Sequence, residues 1–239
     1  STPSTLFDSF LKRLDRENAI SPSSITLMKL TAAQIFSLPA FLLDILLPPR
    51  KTERAIRLLT IDTLQASAVL SDSGTQVLPY HDASVRALVW ELKYRKNPHA
   101  LALAGQFLSE QALSLAEDML DIPVLVPVPM HISRRKDRGY NQCELLCEAM
   151  LASSPSSCMY APHALERVRN TPQQQGLAKH RRVKNIQGAM QVKNPEAVQG
   201  KTCIVIDDVR TTGATADETR RALMAGGARE AYILTLAQS

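Results

Sequence analysis

From residue 77 onward the apolar positions alternate between two spacings. Ile122 to Val128 and Cys203 to Ile206 are short unbroken apolar runs rich in β-branched side chains, the pattern of central parallel strands covered on both faces. Val77 to Tyr80 and Tyr232 to Leu236 read as further strands. Between them, Val85, Leu88, Val89 and Leu92 recur at helical spacing over 84–94. Leu101, Ala104, Leu108, Leu115 and Leu120 do the same over 99–120, beyond the break at Asn97-Pro98. Leu145, Leu146, Ala149 and Met150 mark another helix, and one more follows Gly213 with Thr219, Ala222 and Leu223 until Gly226-Gly227 stops it. Strands alternating with helices of these lengths imply right-handed crossovers, hence an α/β fold with a parallel sheet and helices on both faces.

Upstream the pattern is helical throughout. Leu6, Phe10, Leu11 and Leu14 form one short stripe, Ser21-Pro22-Ser23-Ser24 is a break and N-cap, and a helix over 25–47, bent near Pro39, ends at Pro48-Pro49. Residues 52–70 read as one or two more helices. Asp72-Ser73-Gly74 is a turn after which strands begin. The predicted organisation is therefore an N-terminal helical extension, 1–75, and an α/β domain, 76–239.

Composition narrows the class. A chain of 239 residues suits one α/β core with an appendage, and 45% apolar with 21% charged residues is ordinary for a soluble protein. The cysteines at 143, 147, 158 and 203 lack CxxC spacing and read as free thiols. Asp8, Asp15 and Glu17 interrupt the opening residues where a signal peptide needs an apolar core, which predicts a cytoplasmic address. The apolar stretch 35–47, broken by Pro39 and Asp44, falls short of the roughly 20 residues of a membrane span. A net charge of +5 with clustered basic residues favours polyanionic partners, either phosphorylated small molecules or nucleic acid.

The chemistry concentrates in Ile204-Val205-Ile206-Asp207-Asp208-Val209-Arg210-Thr211-Thr212-Gly213-Ala214-Thr215. Ligands of open parallel sheets bind just past the carboxyl ends of strands, where Asp207 and Asp208 are expected. The turn beyond offers backbone N–H groups and the hydroxyls of Thr211, Thr212 and Thr215, with Gly213 allowing close approach at a helix start, which makes an anion nest. Two adjacent carboxylates repel phosphate but accept hydrogen bonds from sugar hydroxyls. The string thus fits a ribose 5-phosphate, with the acids on the 2′- and 3′-hydroxyls and the turn on the phosphate. An acidic turn that merely caps a helix is the alternative, and the absence of Gly-Lys-Ser/Thr excludes a nucleoside-triphosphate loop.

That string resembles the phosphoribosyl pyrophosphate (PRPP) signature of type I phosphoribosyltransferases. Leu-Leu-Pro-Pro-Arg at 46–50, Glu-Leu-Lys-Tyr-Arg at 91–95, Val-Pro-Val-Pro-Met-His at 126–131, Arg-Gly-Tyr-Asn-Gln at 138–142 and Asn-Thr-Pro-Gln-Gln at 170–174 are similar to segments of the ComF family, which is associated with DNA uptake in competent bacteria. That family follows its Pro-Pro-Arg with a four-cysteine zinc knuckle, whereas Lys51-Thr52-Glu53-Arg54 opens a cysteine-free stretch here.

The resemblance implies the type I phosphoribosyltransferase fold with a flexible flap and a Mg²⁺-dependent transfer of phosphoribose. Asp207 and Asp208 would be catalytic, and either could touch the Mg²⁺ of bound PRPP through water. It places pyrophosphate binding on Pro129, Met130, His131, Ile132, Ser133 and Arg134, in a stretch where Arg134, Arg135, Lys136 and Arg138 surround Asp137. A solvated basic face is the other reading of those cations, and Arg138 to Gln142 could instead cap the next helix. Residues 162–193, with seven Lys or Arg against the single acid Glu166, match the flap, on which Arg167, Arg169, Thr171, Gln174, Arg182 and Asn185 fit the family pattern. Lys93 and Tyr94 match too, although a lysine at a helix end also complements the helix dipole. The implied partners are PRPP, an acceptor the sequence does not identify, and a second copy of the chain. The rival reading is a non-catalytic protein that senses PRPP or binds single-stranded DNA through its basic surfaces.

Overall fold

In this computed structural model the described residues are 50–71, 74–117, 119, 121–155, 157–169 and 186–239. The helices expected over 1–47, and the flap positions Thr171, Gln174, Arg182 and Asn185, lie outside them. Lys51–Ser239 forms one compact unit.

In chain order its elements are α1 (Lys51–Arg57), α2 (Ile61–Ser67), β1 (Val69–Leu70), β2 (Gln76–Pro79), α3 (Ala83–Tyr94), α4 (Pro98–Ala116), β3 (Val124–Pro127), α5 (Ile132–Arg138), α6 (Gln142–Ser153), β4 (Met159–Tyr160), β5 (Leu165–Arg167), β6 (Met190–Val192), β7 (Thr202–Arg210), α7 (Ala214–Ala225) and β8 (Glu230–Gln238). Local chemistry sets the boundaries. Asp82 accepts from Ser84 N to start α3, and Asn97 accepts from His99 N and Ala100 N to start α4, with Pro98 in its first turn.

The main sheet has the order β1-β2-β8-β7-β3-β4, parallel except for the β1–β2 pair, and β5 and β6 form a separate antiparallel hairpin. This is the α/β, parallel-sheet fold the sequence predicts. Neighbouring residues of each strand serve opposite faces. Leu125, Ile204, Ile206, Leu234 and Leu236 pack with α3, α4 and α6, whereas Val124, Val126, Cys203, Val205 and Ala231 pack with Ala222 and Leu223 of α7 and Met190 of β6. Ile56 of α1 and Leu64 of α2 are buried in the first of these clusters. Residues 51–67, assigned to the extension from sequence, therefore pack with the main body.

Two further differences bear on the site. β7 runs on through both acids to Arg210 instead of ending before them, because its parallel ladder with β8 continues through Asp207↔Thr235, Val209↔Ala237 and Arg210↔Gln238. The basic stretch after β3 holds a helix, α5, that buries no residue and so leaves no apolar period to read. All four cysteines are free thiols.

Candidate functional site

The connections around β3 and β7 diverge. From β3 the chain crosses outward through α6 to β4, and from β7 it crosses the opposite way through α7 to β8. The carboxyl ends of two such strands bound a crevice that no crossover covers, the switch point where ligands of open α/β sheets bind. A cavity of about 530 Å³ occupies it, lined by Pro129, Met130 and Arg134 after β3, by Asp207, Asp208 and Val209 at the end of β7 and Thr211 and Thr215 beyond it, and by Tyr80, Lys93, Tyr94, Arg138 and Arg167 from surrounding elements.

Asp207 and Asp208 are both buried, 8% and 6% exposed, yet they line this cavity. The backbone N–H of Asp208 donates to Asp207 Oδ1 at 2.9 Å, and the Cys143 thiol stands 3.9 Å from the same oxygen. Burial, then the neighbouring Asp208 carboxylate, push the Asp207 carboxyl up, to about 7. Nζ of Lys93 lies 3.1 Å from Asp208 Oδ2. Burial opposes the lysine's charge, but the Asp208 carboxylate outweighs it and raises the ammonium above its ordinary value. Burial and the adjacent carboxylates hold the Cys143 thiol protonated, well above its usual range.

Beyond β7 the turn opens a second, smaller crevice lined by Asp207 and by residues 209–216. Gly213 stands at the N-cap of α7 with φ 79°, and no side chain caps the helix. The first N–H groups of α7 thus face the crevice with the positive end of the helix dipole. Oγ1 of Thr212 is buried there with no hydrogen-bond partner among the described residues, a costly arrangement unless an anion accepts from it.

The structure gathers most of the residues singled out in the sequence. Asp207 to Thr215 line one crevice or the other, Asp208 the larger one, and Pro129, Met130, Arg134 and Arg167 line the larger cavity. His131, Ile132 and Ser133 do not line it: His131 caps α5 by accepting from Ser133 N at 3.3 Å, and Ile132 is exposed. Arg169 turns to the carbonyl of Gln187. Asn141 caps α6 through Cys143 N at 3.1 Å and donates to the Val128 carbonyl at 3.0 Å, which ties the loop after β3 to α6. Tyr80, Asn141 and Cys143 were not separately singled out, since a tyrosine after a strand, a capping asparagine and a small buried thiol carry no pattern of their own. Burial, followed by the charge of Arg134, lowers the Arg167 guanidinium to about 10, so two cations crowd one wall.

In the cavity wall the Arg138 guanidinium sits over the Tyr94 ring at 5.3 Å, and two further cations sit on rings, Arg95 over Trp90 at 5.2 Å and Lys96 over Tyr140 at 4.4 Å. Among the described residues no helix is long and apolar enough to cross a membrane, and no group of three His, Cys, Asp or Glu could hold a metal ion.

No family model matches the chain. Over 154 residues it is 32% identical to DNA utilization protein YhgH of Salmonella typhimurium, a match covering 64% of this chain and 66% of that relative, just under two thirds of its length. It is 36% identical to competence protein ComFC of Bacillus subtilis over 104 residues, 44% of this chain and 39% of that one. Orotate phosphoribosyltransferase of Mycobacterium tuberculosis superposes loosely, with a TM-score of 0.37 at 15% identity over 77% of this chain and 83% of that one.

Proposed function

Because the chain belongs to the ComF family of phosphoribosyltransferase-like proteins, we propose that it binds PRPP in the cavity at the end of β7 and passes the phosphoribosyl group to an acceptor, releasing pyrophosphate in the cytoplasm. One observation carries the reading: a buried carboxylate pair lines a cavity beside an uncapped helix N-terminus and a buried threonine hydroxyl with no partner among the described residues. Sugar hydroxyls suit the first group and a phosphate suits the second.

In this reading Asp207 and Asp208 accept from the ribose hydroxyls, and the turn Thr211 to Thr215 holds the 5′-phosphate. Arg134 and Arg167 face the pyrophosphate beside Pro129 and Met130. As the bond from C1 to pyrophosphate breaks, its electron pair leaves with pyrophosphate, positive charge grows on the ribose, and a lone pair of the acceptor forms the new bond. The buried carboxylates stabilise that charge and the arginines the leaving group, in surroundings where such interactions are strong. Among the described residues the donor set is too small for an all-protein magnesium cage, and Asp207 or Asp208 would hold, through water, an ion bound chiefly by PRPP. Such an ion supplies charge neutralisation to the departing pyrophosphate.

The three cation–ring pairs, with relatives named for DNA utilization and competence, favour a second reading in which the site senses PRPP and these side chains hold single-stranded DNA. Pyrophosphate release from PRPP, followed with Mg²⁺ and a panel of nucleobases, separates the two. Turnover that disappears in Asp207→Asn supports the transferase. PRPP binding without turnover for every acceptor, together with salt-sensitive DNA binding, supports the sensor, and failure to bind PRPP overturns both.

A further inference from the structure

We propose that Glu218 and Arg221, which do not line the cavity, are positioning residues: they fix Arg167 in the cavity wall by gripping the strand opposite it. The inference rests on the PRPP reading and adds to it the device that places a pyrophosphate-facing cation.

Glu218 lies just beyond the first turn of α7, the helix that begins at the phosphate turn, and is only 5% exposed. Nε and Nη2 of Arg221 each donate to its carboxylate at 2.8 Å, a bidentate fork. The fork also reaches another element. Met190 N donates to Glu218 Oε1 at 3.4 Å, and Arg221 Nη2 donates to the Met190 carbonyl at 3.4 Å. One acid–base pair thus takes both backbone groups of one residue of β6.

The ladder of β5 and β6 explains why those groups need partners. Val168 N donates to Ala189 O and Lys193 N to Ala164 O. By the alternation of an antiparallel pair, the intervening match of Arg167 with Met190 is a non-hydrogen-bonded one. Met190 therefore directs its N–H and C=O away from β5, as an unpaired edge. Glu218 and Arg221 stand in for the missing strand. A second contact holds the same strand, since a Cβ on Gly226 would fall 2.3 Å from Cγ2 of Val192, so that α7 and β6 meet without room for a side chain.

In a non-hydrogen-bonded pair the two side chains are at their closest. Arg167 is paired in this way with Met190, which is buried in the core, and its own guanidinium reaches the cavity. Helix α7 consequently carries the phosphate turn at its start and, through Glu218, Arg221 and Met190, the strand that sets Arg167. The seats of both anionic ends of PRPP are then built on one helix.

The test is calorimetric titration of the full chain with magnesium pyrophosphate, with a melting curve recorded for each variant. Arg167→Ala is expected to weaken binding about tenfold or more. Arg221→Ala, at a half-exposed position compatible with folding, should weaken it roughly three- to tenfold, as should Glu218→Gln, and Arg221→Lys should recover part of the loss. The decisive sample is Arg167→Ala/Arg221→Ala, expected to bind no worse than Arg167→Ala alone, because Arg221 acts only through Arg167. Multiplying losses indicate a general structural role and overturn the inference, as does full affinity in Arg221→Ala or in Arg167→Ala. Those results leave the PRPP reading standing, whereas a wild-type chain that binds no pyrophosphate sinks both.

Discussion

Nζ of Lys93, in the last turn of α3, lies 3.1 Å from Oδ2 of Asp208 near the end of β7, so a charge pair joins a helix end to the sheet at the cavity. Its side chains are 23% and 8% exposed, a setting in which a carboxylate left without its cation is poorly solvated. Lys93→Met should cost roughly 1–3 kcal/mol in urea unfolding at neutral pH, less than a fully buried pair. Lys93→Met/Asp208→Asn should recover part of that loss. The raised lysine contributes its stability below its ordinary titration range and loses it as pH climbs through the higher native value.

Asp207 shifts in the same direction, in a lower pH window. Its carboxyl is pushed up to about 7 by burial and by Asp208, from 3.8 in the unfolded chain. Its contribution is fully present below the unfolded value and lost as pH rises through about 7. Asp207→Asn should flatten this slope and exceed the wild type by roughly 1–3 kcal/mol at pH 8 while losing PRPP binding, a trade between stability and function. Thermal melts between pH 4 and 8.5 check the sign.

Thr212→Val removes the buried hydroxyl that has no partner among the described residues. Stability should hold or rise by up to about 1 kcal/mol, since an unsatisfied donor disappears at nearly constant volume. Stabilisation of the melt by added inorganic phosphate should shrink in the variant.

Gly213→Ala meets two obstacles, a φ of 79° and the Arg210 guanidinium 3.2 Å from the new Cβ. The left-handed backbone alone costs about 1 kcal/mol. Denaturant unfolding should report that loss, and phosphate protection should fall because the turn must shift.

Legibility followed burial. Unbroken apolar runs exposed β3 and the first half of β7, and the turn chemistry of Thr211 to Gly213 marked the start of α7. The sequence could not show β7 continuing through Asp207 and Asp208, because polar residues end an apolar run while a parallel ladder with β8 does not depend on side chains. Helix α5 was hidden because it buries nothing and is capped by His131, an unusual N-cap residue. Lys93 fits both the family pattern and a dipole complement in the sequence, and only the fold brings it against Asp208. Glu218 and Arg221 are spaced as an ordinary helical pair, and their hold on Met190 of β6 arises only in the fold.

The account stands on one equilibrium, the association of PRPP with the carboxylate pair and the turn that follows it. Calorimetry with Mg²⁺ should show saturable PRPP binding to the wild type, competed by ribose 5-phosphate, and weakened at least about tenfold in Asp207→Asn/Asp208→Asn with the fold intact. Equal affinity in the wild type and that variant, or no binding by the wild type, contradicts it.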